Sequence, residues 1–207
     1  MCGIAGWLST SPITDGAQAQ LSAMLQAIAH RGPDGEGSEL FDHAALGHRR
    51  LAIIDLEGGQ QPMYSHDQRY CISFNGEIYN HHKLRAELEA LGQGFRGHSD
   101  TEVMLAAIQH WGLEPAIGRF VGMFAFALWD ALEQTLFLAR DRMGEKPLYY
   151  GRSGDTFLFG SELKALTAHP DWQGEVNRDA LALYMRHNYV PAPWSIYRGI
   201  AKLPPAH

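Results

Sequence analysis

Apolar residues recur along the chain at two spacings, and the switch between them outlines the elements. Leu21, Met24, Leu25 and Ile28 fall at i, i+3, i+4 and i+7 behind Asp15-Gly16, the stripe of a helix with one buried face. His30-Arg31-Gly32-Pro33-Asp34-Gly35 is loaded with breakers and stops it. Leu84, Leu88 and Leu91 predict a second helix facing inward and ending at Gly92. Val103, Met104, Ala107, Ile108 and Trp111 predict a third, which ends at Gly112. Ser99-Asp100-Thr101-Glu102 at its start has the spacing of a capping box. Residues 161–166 and 178–187 read as two more helices. Residues 2–8, 39–41, 45–54 and 69–74 read as strands, as do the aromatic-rich segments 120–129, 135–139, 148–151 and 156–159. Strands run together with helices set around them, which predicts α+β layers rather than alternating βαβ units.

Composition narrows the function classes. The chain has 207 residues, 45% of them hydrophobic and 19% charged, an ordinary globular balance. A net charge of −6 argues against nucleic acid as a partner, which calls for a basic stripe. No apolar run approaches the ~20 residues of a membrane span, and the first residues lack the basic start of a signal peptide. Two cysteines are too few for a disulfide framework, so a cytoplasmic setting is the simplest expectation. Cys71 lies in a predicted strand and reads as an inert core thiol. The eleven histidines show no H-x-x-x-H or H-x-H spacing, so no metal site is expected.

Cys2 is the residue with the most chemistry to offer. Removal of Met1 would put a thiol and a free α-amino group on one residue, with ordinary pKa values near ~8.5 and ~7.7–8.0. Nucleophile and proton acceptor would then need no histidine. Asn75-Gly76 allows two readings. Asn-Gly is the preferred pair of a tight hairpin. It is also a side-chain amide beside a backbone N–H that could serve as an oxyanion hole. Arg49 and Arg50 follow each other on a predicted strand, so one faces out and the other can face a pocket and grip a carboxylate. Asp100 suits a helix start, and with Ser99 as the cap it could instead receive an ammonium group, together with Glu77.

Taken in order, Met1-Cys2-Gly3-Ile4-Ala5-Gly6, His30-Arg31-Gly32-Pro33-Asp34, Asn75-Gly76-Glu77-Ile78-Tyr79-Asn80 and Ser99-Asp100-Thr101-Glu102 resemble the class II glutamine amidotransferases. Gly122-Met123-Phe124-Ala125-Phe126-Ala127 and residues 139–150, with Lys146-Pro147-Leu148-Tyr149-Tyr150, are similar to the glutaminase domain of glutamine-dependent asparagine synthetases and close relatives. The resemblance implies a four-layer αββα sandwich of the N-terminal-nucleophile hydrolase type. It implies L-glutamine as substrate, with Cys2 as nucleophile and Asn75 and Gly76 as oxyanion hole. Arg50 would hold the α-carboxylate, and Glu77 and Asp100 the α-ammonium. Backbone groups near Ile53 and Ile54 would close the pocket, and the Arg31-Gly32-Pro33 loop would flank the nucleophile. Residues 1–170 would be the glutaminase domain, and 171–207 a linker with the opening of a synthetase domain. That C-terminal synthetase domain would be the partner in a longer chain and would carry ATP and magnesium. No cofactor is expected in these residues, and a homodimer is left open. Three alternatives stay open at this stage: another ammonia acceptor, a glutamine-sensing module without turnover, and a metal-dependent hydrolase.

Overall fold

The computed structural model describes residues 1–53, 55 and 58–207. Among the described residues ten strands form two antiparallel sheets. The first sheet holds β1 (Gly3–Leu8), β2 (Gly35–Leu40), β3 (Ala44–Arg50), β8 (Tyr149–Ser153), β9 (Thr156–Gly160) and β10 (Ile200–Lys202), in the order β10-β8-β9-β1-β3-β2. The second holds β4 (Met63–Tyr64), β5 (Tyr70–Ile78), β6 (Gly122–Asp130) and β7 (Thr135–Arg140), in the order β4-β5-β6-β7. The helices are α1 (Ala17–Ala27), α2 (His81–Ala90), α3 (Asp100–Trp111), α4 (Leu113–Arg119), α5 (Leu163–Thr167) and α6 (Arg178–His187), with a 3-10 turn at Ala29–Arg31.

The alternation of strand side chains sorts the apolar residues into three cores. On β1, Ala5 and Trp7 pack with Leu21, Met24, Leu25 and Ile28 of the α1 segment and with Leu166 of α5. Ile4, on the opposite face, joins Cys71, Ala125, Ala127, Trp129 and Phe159 between the two sheets. On β5, Ile72, Phe74 and Ile78 pack under α2, α3 and α4. Helices, sheet, sheet and helices thus form the four-layer αββα sandwich. Cys71 is buried in its middle, and burial pushes its thiol pKa up, which keeps the sulfur protonated and inert.

Several elements differ from the sequence expectation. The strand through residues 69–74 does not stop at Asn75-Gly76. β5 pairs with β6 continuously from Tyr70↔Asp130 to Ile78↔Gly122, so the Asn-Gly pair lies inside a strand and is no hairpin turn. β3 ends at Arg50, short of the expected residue 54. Leu91 caps the C-terminus of α2 and is 58% exposed, because the helix turns out at Gly92 (φ 90°). Glu102 does not reciprocate the Ser99 cap. Ser99 accepts from the Glu102 N–H at 3.2 Å, while the Glu102 carboxylate takes the N–H groups of Arg96 and Gly97 at 2.7 and 2.9 Å. α4, β4 and β10 carried too few residues to show a period.

The tail is stitched to the first sheet. β10 pairs with β8, and the Arg140 guanidinium donates to the Leu203 carbonyl at 2.6 Å. Among the described residues no helix is long and apolar enough to cross a membrane.

Candidate active site

Cys2 stands one residue ahead of β1, half-buried. Its carbonyl accepts from Arg31 Nε at 2.9 Å, and Arg31 is in turn paired with Glu162 at 2.8 Å. The 3-10 turn that follows α1 thereby clamps the start of the chain. The thiol lies against the backbone of Leu51: the Leu51 N–H donates to the sulfur at 3.3 Å, and the carbonyl oxygen is 3.6 Å away.

The thiol shares a cavity of about 180 Å³ with Arg50, Asn75, Gly76, Glu77 and Asp100. β5 supplies the centre of the cavity by simple alternation. Cys71 points between the sheets, and so does Ser73, whose hydroxyl donates to the Gly47 carbonyl at 2.8 Å. Asn75, two residues further along, turns the same way. It is buried, and among the described residues its Nδ2 has no hydrogen-bond partner. A buried unmatched amide donor costs on the order of 1–3 kcal/mol, so it calls for an acceptor that the resting protein does not contain.

The backbone follows the same logic. The N–H groups of Phe74 and Ile78 point away from β6. The first donates to Gln61 Oε1 at 2.6 Å and the second to Asp100 Oδ2 at 2.9 Å. Strand alternation turns the Gly76 N–H to the same edge, and no group among the described residues accepts from it. Glycine at position 76 was expected to allow close approach of a ligand. The geometry adds a different reason: a Cβ there would lie 2.2 Å from the Met123 carbonyl oxygen of β6.

The other expected residues are placed as follows. Arg49 pairs with Glu36 at the surface at 2.5 Å, and Arg50 turns to the cavity. Arg50 also donates to the Asp55 carbonyl at 2.6 Å. The Asp55 carboxylate takes the N–H groups of His98 and Gly58, which hold its pKa below the usual range and pin this loop to the turn before α3. Ser99 caps α3, leaving Asp100 to reach β5. Burial raises the Asp100 pKa against the pull of the Ile78 N–H and of nearby His81. Ile53 lines the cavity mouth and is 65% exposed. Ile54 lies outside the described residues. Among the described residues no cluster of histidine, cysteine or carboxylate side chains could hold a metal ion.

Among the cavity residues that the sequence reading gave no role are His48, Gln61 and Lys146. Lys146, only 6% exposed, sits in a segment quoted for its resemblance but given no role. His48 alternates with Arg49 and Arg50 on β3, and this parity was the available signal. Gln61 had none, because its partners are remote in sequence.

The glutamine amidotransferase domain family matches residues 1–207. The chain belongs to that family. Its relatives include two proteins of Bacillus subtilis named asparagine synthetase [glutamine-hydrolyzing] 3 and 1. Each is 42% identical, across 100% and 99% of this chain and 34% and 32% of their own lengths. A putative asparagine synthetase [glutamine-hydrolyzing] 2 of Methanocaldococcus jannaschii is 36% identical, over 98% of this chain and 42% of its own length. The chain thus spans about a third of the length of these Bacillus relatives. The fold is shared with the glutamine phosphoribosylpyrophosphate amidotransferase of B. subtilis, at a TM-score of 0.68 and 23% identity over 81% of this chain and 43% of that one.

Proposed function

We propose that Cys2, freed of Met1, hydrolyses L-glutamine, and that Asn75 Nδ2 and the Gly76 N–H bind the oxyanion. The observation that carries this reading is the pair of unmatched donors on the cavity that the Cys2 thiol lines. The thiolate attacks the carbonyl carbon of the γ-amide, and the amide oxygen takes the charge. The C–N bond breaks as the α-amino group of Cys2 gives its proton to the departing ammonia. Water then cleaves the γ-glutamyl thioester to glutamate and regenerates the thiol. Arg50 holds the α-carboxylate, and Asp100 with Glu77 the α-ammonium. The backbone at Ile53 and Ile54 closes the pocket. Fixing both ends of the amino acid orients the γ-amide for attack.

The test is glutamate release by the trimmed chain, its first residue read by intact mass. Arg50→Ala is expected to raise the KM for glutamine by about 10- to 150-fold, the loss of a charge-assisted hydrogen bond worth roughly 1.5–3 kcal/mol. An unchanged KM removes Arg50 from this role. Asp100 adds a pH dependence. An α-ammonium pairs only with the carboxylate, and the carboxyl pKa is raised by burial. KM should therefore climb as pH falls, with its break above the ordinary carboxylate range. Asp100→Asn keeps the acceptor for Ile78 but should abolish the break, as pH profiles of KM would show.

For the whole protein, we propose that the ammonia serves ATP-dependent asparagine synthesis. The names of the relatives support this, as does the share of their length beyond this chain. ATP and magnesium would belong to that remainder. Residues 1–170 would be the glutaminase domain, with 171–207 leading into a synthetase partner. Exposed Leu181, Tyr184 and Met185 on α6 fit that division. Two free thiols fit a cytoplasmic setting. Glutamine-dependent asparagine formation from aspartate and ATP by the longer chain is the deciding assay.

A further inference from the structure

Two side chains outside the proposed catalytic set hold a single residue of β5. Gln61 Oε1 accepts from the Phe74 N–H at 2.6 Å, and His48 Nε2 lies 3.0 Å from the Phe74 carbonyl oxygen. A carbonyl only accepts, so Nε2 carries the proton. His48 is buried, which keeps its imidazole neutral by lowering the pKa to about 4. β4 pairs with Cys71 and Ile72, so from Phe74 onward this edge of β5 has no neighbouring strand among the described residues. The carbonyl held by His48 belongs to the peptide that ends in the Asn75 nitrogen. The far side of Gly76 is fixed by Asp100 at Ile78. The other end of Gln61 donates to Thr101 Oγ1 at 3.2 Å, beside Asp100 on α3. One set of bonds therefore frames Asn75-Gly76 from β3, from the loop before β4 and from α3.

We propose that His48 and Gln61 are positioning residues for glutamine hydrolysis: they replace the missing strand and fix the plane in which the Asn75 amide and the Gly76 N–H are presented. The inference rests on the oxyanion role proposed above. In the proposed pose Arg50 and Asp100 hold the two ends of the amino acid, so loss of His48 or Gln61 is expected to act on the transition state and to spare ground-state binding. Small displacements of catalytic donors are costly, and His48→Phe and Gln61→Met should each lower kcat by roughly 10- to 100-fold. Glutamine affinity, measured in the Cys2→Ala background, should stay within about twofold. His48→Gln keeps a donor and Gln61→Glu keeps the acceptor, and both should recover most of the rate.

The Gln61 pair keeps the test decisive if His48→Phe fails to fold, since Gln61 is half-buried on a loop. Equal kcat in the disruptive and conservative variants, per folded molecule, would overturn the proposal. So would parallel losses in kcat and glutamine affinity. Asn75→Ala serves as the control. If Asn75→Ala itself retains wild-type kcat, the oxyanion reading falls first. If it alone loses activity, only the positioning role falls.

Discussion

Cys2→Ala is expected to remove glutamine hydrolysis altogether, by at least about 10⁴-fold in kcat, the scale seen when a nucleophile is deleted. The fold should survive the change. Among the described residues the Cys2 sulfur hydrogen-bonds to the Leu51 backbone, and the clamp on this end of the chain is made through the Cys2 carbonyl by Arg31. A glutamate-release assay beside a thermal melt separates the two effects. Turnover near the wild-type rate with an intact melt would mean that another group attacks the amide.

Asn75→Ala is the second large effect. Loss of one oxyanion donor costs about 2.7–4 kcal/mol of transition-state stabilisation, or roughly 10²–10³ in kcat. KM should change little, because the proposed pose holds both ends of the amino acid elsewhere. Nδ2 has no partner among the described residues, so its removal breaks no hydrogen bond to them. The melting temperature should therefore hold while the rate collapses. A fall in stability with an unchanged rate would make Asn75 a packing residue and empty the site of its main electrostatic device.

Much of this was legible in the sequence because the signals are local. The stripe of α1, the Ser99 cap, the opposed faces of Arg49 and Arg50, and the last helix at Arg178–His187 all follow from neighbouring residues. Asn75-Gly76 was ambiguous for the same reason. A dipeptide cannot report that β6 runs alongside it, and that pairing decides between turn and strand. The demand for glycine at position 76 comes from the Met123 carbonyl, 47 residues away in the chain. His48 and Gln61 act on Phe74 across 26 and 13 residues, and neither has a chemistry that stands out alone. β10 is three residues long and owes its strand character to β8.

Unpaired sheet edges usually invite a foreign chain, and proteins cover or charge them to prevent it. On β5 the cover is nearly complete but stops one rung short, at Gly76. In the proposed site an incoming carboxamide oxygen would finish that ladder, and the substrate would serve briefly as a piece of secondary structure. Occupancy of the pocket should then be readable from the protein side alone, as slower amide hydrogen exchange at a single glycine.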